Sequence, residues 1–163
     1  MIIHVKNKQT LKIDDFYFKC CVGKNGISRK KIEGDKKTPK GTFKLGNLYF
    51  RKSRINRPIT NLKKVIIRKN MAWCDDSNNL RYNKLTKISK KYSHEKLFRE
   101  DNKYDLLIPI KYNFYKPRKK LGSCIFIHLT NNYKPTAGCV ALKKKDFLIM
   151  LKLINKNSKI IIY

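Results

Sequence analysis

Ile3 and Val5, Leu11 and Ile13, then Phe16, Phe18, Cys20 and Val22 alternate with polar neighbours, which predicts three half-buried β-strands at the start of the chain. Asn7-Lys8 reads as the hairpin turn between the first two, and Gly23 and Gly26 end the third. The segment 33–43 carries two Gly, a Pro, Asp and Thr, and reads as a loop suited to buttress a binding cleft. Lys64–Arg68 predicts another strand, followed by an aromatic and carboxylate-rich loop over Trp73–Asn83. Leu106–Ile110 predicts a strand with Pro109 near an edge or bulge. Ile125–Leu129 shows no alternation, as expected of a strand buried on both faces. Phe147, Leu148, Leu151 and Ile154 recur at helical spacing and predict an amphipathic helix over 144–155 whose stripe is core packing. Lys159–Tyr163 closes with a strand. With no internal repeat or linker, the pattern predicts a single domain over 1–163, mainly β (β-rich α+β), with one or two helices.

Composition narrows this picture without overturning it. The 163 residues suffice to close a hydrophobic core, and 41% hydrophobic content with nine Tyr and eight Phe argues against disorder. No apolar run approaches a membrane span, and the N-terminus carries no apolar segment with a small-residue cleavage site. The net charge of +29 favours polyanions at low salt. Yet the basic runs Arg29–Lys31, Arg118–Lys120 and Lys143–Lys145 are scattered between apolar segments, and no nucleic-acid-binding motif accompanies them. Specific nucleic-acid binding is therefore not expected, and a monomer is.

Five cysteines without C-x-x-C spacing argue against a disulfide framework or a structural zinc site. Cys20, Cys21 and Cys124 lie in β-like apolar runs and read as small hydrophobes, whereas Cys139 lies in a turn. His128, on the buried strand, precedes Cys139 by eleven residues. Alone, the first reads as a core histidine and the second as a turn residue. Together they form a thiol with a base, and Gly138 removes bulk where a carbonyl must dock. His128 is then the proton acceptor and donor, Cys139 the nucleophile, and the Gly138 and Cys139 N–H groups candidate oxyanion donors. Neither a metal nor a cofactor is called for.

The segment His128…Thr136-Ala-Gly-Cys139-Val-Ala-Leu142 resembles the catalytic signature of the L,D-transpeptidase (YkuD-type) family of bacterial cell-wall enzymes. Gly34-Asp35-x-x-Thr38-Pro39-x-Gly41-x-Phe43 is similar to a loop motif of that family. Trp73-Cys74-Asp75-Asp76, Leu97-Phe98-Arg99-x-Asp101-x-x-Tyr104-Asp105 and Gly122-Ser123-x-Ile125-Phe126-x-His128 resemble further blocks in the same order. The resemblance implies a sandwich of mixed β-sheets. It also implies attack by Cys139 on a peptide carbonyl of a peptidoglycan stem, after a diamino acid, with release of the terminal D-amino acid. An amine of a second stem then yields a cross-link, and water yields trimming. Thr136, Trp73 and Arg99 are the substrate-binding candidates, Arg99 because a guanidinium pairs well with a carboxylate. An ion pair of Arg99 with Asp101 or Asp105 is the alternative.

Two departures stand out: many members carry a histidine where this chain has Ala137, and Arg or Asn where it has Ala141. The readings are thus a cysteine acyltransferase on stem peptides, a hydrolase of the same chemistry, or a non-catalytic basic polyanion-binding protein. Location stays open between the cell envelope, where the substrate lies, and the cytoplasm, which the visible N-terminus suggests.

Overall fold

The computed structural model describes all 163 residues. In chain order its strands are β1 (Ile2–Lys6), β2 (Thr10–Ile13), β3 (Phe16–Cys21), β4 (Ile27–Ser28), β5 (Thr38–Pro39), β6 (Gly41–Lys44), β7 (Leu48–Phe50) and β8 (Lys64–Ile66). They continue with β9 (Met71–Cys74), β10 (Leu85–Lys87), β11 (His94–Lys96), β12 (Leu106–Pro109), β13 (Phe126–Leu129) and β14 (Val140–Leu142). A single helix, α1 (Lys144–Leu153), and β15 (Lys159–Ile162) complete the chain. The fold is mainly β, with 36% strand and 6% helix. No helix is long and apolar enough to cross a membrane.

Ten strands form one mixed sheet in the order β6-β15-β1-β2-β3-β14-β13-β12-β7-β8. The alternation at the N-terminus is realised as cross-strand pairs: Ile3 lies opposite Ile13 and Ile160, and Val5 opposite Leu11 and Ile162. Asn7 and Lys8 both adopt positive φ (51° and 60°), the backbone whose twist matches a tight hairpin. The sheet folds over on itself. Lys111 N–H donates to the Lys44 carbonyl at 2.9 Å and Gly46 N–H to the Pro109 carbonyl at 2.7 Å, joining the β6 end to β12. Side chains from both halves and from Phe147, Met150 and Leu151 of α1 then share a core of 26 buried residues.

Several expectations are refined. Segment 33–43 is not one loop: Thr38–Pro39 pairs with β4 and Gly41–Lys44 with β15. Trp73 and Cys74 lie not in a loop but on β9, the central strand of a three-stranded sheet β10-β9-β11. Pro109 is on an interior strand, between β7 and β13, rather than at an edge. It is tolerated because it ends β12: Ile110 N–H donates to Ile125, so the N–H that Pro109 lacks would point the other way, past the start of β7 at Leu48.

The unalternating run 126–129 is buried throughout because both faces of β13 are covered. Ile127 and Leu129 join the main core. Phe126 faces a second, aromatic cluster with Tyr49, Trp73, Leu97, Tyr104 and Leu107, capped by the three-stranded sheet. His128 shares that second face, and there the cluster opens into a cleft.

Candidate active site

β13 and β14 run parallel and adjacent, with His128 opposite Ala141. Cys139 lies two residues before Ala141 and therefore on the same face, diagonal to His128. Both side chains line one cleft of about 540 Å³. Residues 130–139 connect the two strands without a helix, so hydrogen bonds must hold the crossover. Thr136 N–H donates to Val22 (2.9 Å) and Lys24 N–H to Thr136 (2.8 Å), stitching the loop to the end of β3.

Thr136 organises the turn itself. Its Oγ1 accepts from Gly138 N–H at 3.0 Å and donates to the Cys139 carbonyl at 2.6 Å. This alters the roles expected of two residues. The Thr136 hydroxyl is committed to shaping the turn rather than free for a ligand, although the residue lines the cleft. The Gly138 N–H is likewise taken, which leaves the Cys139 N–H, bonded to nothing in the protein, as the available donor.

Gly138 is required for another reason. Its φ is +138°, and a Cβ there would stand 2.8 Å from the Lys37 carbonyl oxygen and 3.3 Å from Ile125 Cδ1. Lys37 belongs to the Gly34–Phe43 motif, which therefore buttresses the turn that presents Cys139. Asp35 fixes that motif by accepting from Lys31 Nζ (2.6 Å), Ile32 N–H (2.9 Å) and Lys37 N–H (2.9 Å). Burial would raise the Asp35 pKa, but these bonds hold its carboxyl below the usual range. Thr38 Oγ1 accepts from Gly23 N–H at 2.8 Å, tying the motif to the strand beneath.

His128 and Cys139 both rest in their neutral forms. His128 Nδ1 lies 2.8 Å from the Leu129 carbonyl, a pure acceptor, so the proton belongs on Nδ1 and Nε2 is the free base. Burial lowers its pKa to about 4. Burial, and then the charge of Glu95, push the Cys139 thiol up to about 12. The thiol donates to the Cys124 carbonyl at 3.2 Å, and its sulfur accepts from Phe126 N–H at 3.4 Å. No hydrogen bond joins Cys139 to His128 in this resting arrangement.

The other candidates diverge. Arg99 lines the cleft, but Nε and Nη2 clamp Asp101 at 2.9 and 2.7 Å, so the expected ion-pair alternative is the one formed. Trp73 does not reach the cleft. It is 2% exposed, its indole N–H donates to Asn83 Oδ1 at 3.0 Å, and it packs edge-on against Phe126. Its expected role in contacting substrate therefore becomes one of supporting the strand that carries His128. Ala137 stands exposed on the cleft rim and Ala141 is fully buried on its floor.

Sequence reasoning missed three supporting residues. Asn83 is a hub: Oδ1 also accepts from Cys124 N–H (3.1 Å), and Nδ2 donates to the Tyr112 and Asn113 carbonyls. Tyr104 lies edge-on to His128 with centroids 5.3 Å apart and donates its hydroxyl to Glu95. Glu95 pairs opposite Trp73 on β11, a register that strand alternation alone could have exposed once β9 was recognised.

The L,D-transpeptidase catalytic domain family (YkuD) matches residues 2–162. No curated protein sequence matches the chain. Among solved structures the chain is similar to the helical cell shape determining protein Pgp2 from Campylobacter jejuni (TM-score 0.51, 19% identity, 99% of this chain covered). A single-site mutant of the same protein gives TM-score 0.50 and 20% identity over 99% of this chain. The chain spans 46% of either Pgp2 chain, and likeness at this identity speaks for the fold alone. With the family matching nearly end to end, and its strands carrying a buried thiol and a free imidazole nitrogen into one cleft, the chain belongs to the L,D-transpeptidase catalytic domain family.

Proposed function

We propose that this protein transfers an acyl group of a peptidoglycan stem peptide through a thioester on Cys139. The observation that carries the reading is the shared face of β13 and β14, where a thiol and a neutral imidazole with free Nε2 open into one cleft. His128 Nε2 accepts the thiol proton as sulfur attacks the scissile carbonyl carbon. The resulting oxyanion meets the Cys139 N–H. Collapse breaks the C–N bond, and the imidazolium returns the proton to the departing amine. An incoming amine then attacks the thioester, loses a proton to His128 and leaves the product as a new amide.

Because both groups rest neutral, proton transfer is coupled to substrate arrival rather than to a preformed thiolate. The family's substrate lies in the cell wall, so the proposed site of action is the envelope. The test is intact-mass spectrometry of the protein incubated with a tetrapeptide stem or a carbapenem. A single adduct is expected, absent in Cys139→Ala and formed far more slowly in His128→Ala. An adduct that survives loss of Cys139 overturns the mechanism. Adding an amine acceptor and weighing the product against simple hydrolysis decides between cross-linking and trimming.

A further inference from the structure

Away from the cleft, one side of the sheet is open to solvent. On β6, β15, β1, β2 and β3 one set of alternating side chains enters the main core, and the other set faces outward. Strand pairing sets the outward residues in rows. Thr42, Ile161, His4, Lys12 and Tyr17 run straight across the five strands. Lys44 and Lys159 lead to Ile2 in a row on one side, and Lys6, Thr10 and Lys19 form a row on the other.

This face interleaves apolar and cationic side chains. Ile2, Tyr17 and Tyr163 are 43%, 66% and 47% exposed, while lysines stand between them and none of the five strands contains an acid. Lys44 directly faces Lys159, a cross-strand pairing of like charges that costs stability in the free protein. Lys12 Nζ lies 4.9 Å from the Tyr17 ring centroid and Lys6 Nζ 5.6 Å from that of Tyr163, against which His4 also stacks at 5.9 Å. A shallow groove of about 550 Å³ follows β1, lined by Met1, Ile2, His4, Lys6 and Lys12, with Asp14 and Asp15 of the β2–β3 turn as its only acids.

We propose that this face docks onto an anionic lipid surface. Isoleucine and tyrosine side chains enter the headgroup layer, and the lysine stems lie along it with their ammonium groups at the phosphates. A soluble phosphate polymer would engage the lysines alone and leave Ile2, Tyr17 and Tyr163 in water. A single-stranded nucleic acid stacks its bases on free aromatic faces, whereas both tyrosine rings here already carry a lysine. The face also borders the cleft. Tyr17, Lys19 and Cys21 alternate outward along β3, Cys21 pairs with Ala141, and Ala141 pairs with His128.

The test is sedimentation of the full chain with vesicles of phosphatidylglycerol and phosphatidylcholine, in a ratio of about one to two, at physiological salt. A chain of net charge +29 meets any anionic surface to some extent, so two matched triple substitutions carry the decision. Lys12→Gln, Lys44→Gln and Lys159→Gln together take three charges from the face. Lys52→Gln, Lys63→Gln and Lys69→Gln together take three exposed charges from around β7 and β8, at the other end of the sheet. A lysine at an anionic bilayer contributes roughly fivefold in partitioning, and charges beyond a Debye length contribute little. The first triple should therefore bind about a hundredfold more weakly, and the second within about threefold of the unsubstituted protein. Ile2→Thr with Tyr17→Thr leaves the charge unchanged and should weaken binding by about tenfold. None of these side chains belongs to the core. Equal losses in the two triples overturn the docking face, and so does binding indifferent to the Ile2 and Tyr17 substitutions. Face-dependent binding that is tighter to polyphosphate or to a single-stranded oligonucleotide than to the vesicles overturns the lipid assignment.

Discussion

Replacing Gly138 by alanine tests whether the Gly34–Phe43 motif sets the position of the nucleophile. The residue has φ +138°, where an L side chain is strained by roughly 1–3 kcal/mol. The new Cβ would also stand 2.8 Å from the Lys37 carbonyl oxygen, inside any ordinary contact, and that carbonyl is backbone held by its neighbours. Alanine stiffens the unfolded chain and recovers roughly 0.4–1 kcal/mol; with the close Lys37 contact added to the strain, the net loss is about 2 kcal/mol. For a chain of this size that lowers Tm by roughly 4–8 °C. Relief of the clash shifts the turn and Cys139 with it, so acylation should slow by about tenfold to a hundredfold. Gly26→Ala is the matched control. Its φ is +83°, but the Cβ would meet only the flexible end of Lys8 at 3.3 Å, and it stands away from the cleft. Thermal melts and single-turnover acylation on both variants give the answer. If Gly138→Ala melts with Gly26→Ala and acylates at the unsubstituted rate, the motif does not position the nucleophile.

Three further outcomes follow from the site. Thr136→Val should lose about 1–3 kcal/mol by orphaning the Gly138 N–H and the Cys139 carbonyl, whereas Thr136→Ser should retain most of it; equal melts for the two would refute the turn-shaping role. His128 has a folded pKa of about 4 against 6.5 unfolded, so the unfolded chain binds the proton more readily. Stability from this group is full above pH 6.5 and declines as pH falls towards 4, by roughly 3 kcal/mol. Urea melts across that window should show a slope that His128→Leu lacks, and identical slopes would refute it. With its pKa pushed up to about 12, Cys139 should react slowly with iodoacetamide near neutrality. Labelling should rise about tenfold per pH unit up to pH 10, with a plateau below pH 9 counting against the neutral resting thiol.

Much of the scaffold was legible because short-range pattern dictates it. Alternation at Ile3, Val5, Leu11 and Ile13 can bury one face in only one register, and the stripe at Phe147 and Leu151 fits only a helix. The unbroken run ending at Leu129 announced a strand covered on both sides. Trp73 misled because a tryptophan next to two aspartates looks like a binding loop, whereas its place on β9 depends on pairing with β10 and β11. Pro109 misled because ladder bonds are set by neighbours that the local sequence does not name.

The sequence by itself determined the chemistry available: one thiol in a turn, one histidine on a buried strand, and a glycine between them and any substrate. What only the tertiary structure decided is what those groups can do. It set the Lys37 carbonyl against Gly138, packed Trp73 behind Phe126, and laid Tyr104 edge-on to His128. The physical reason is range. Side-chain type and strand period are local properties of the chain, but burial, and much of the hydrogen bonding and the pKa values that go with it, belong to atoms brought together from distant parts of the sequence.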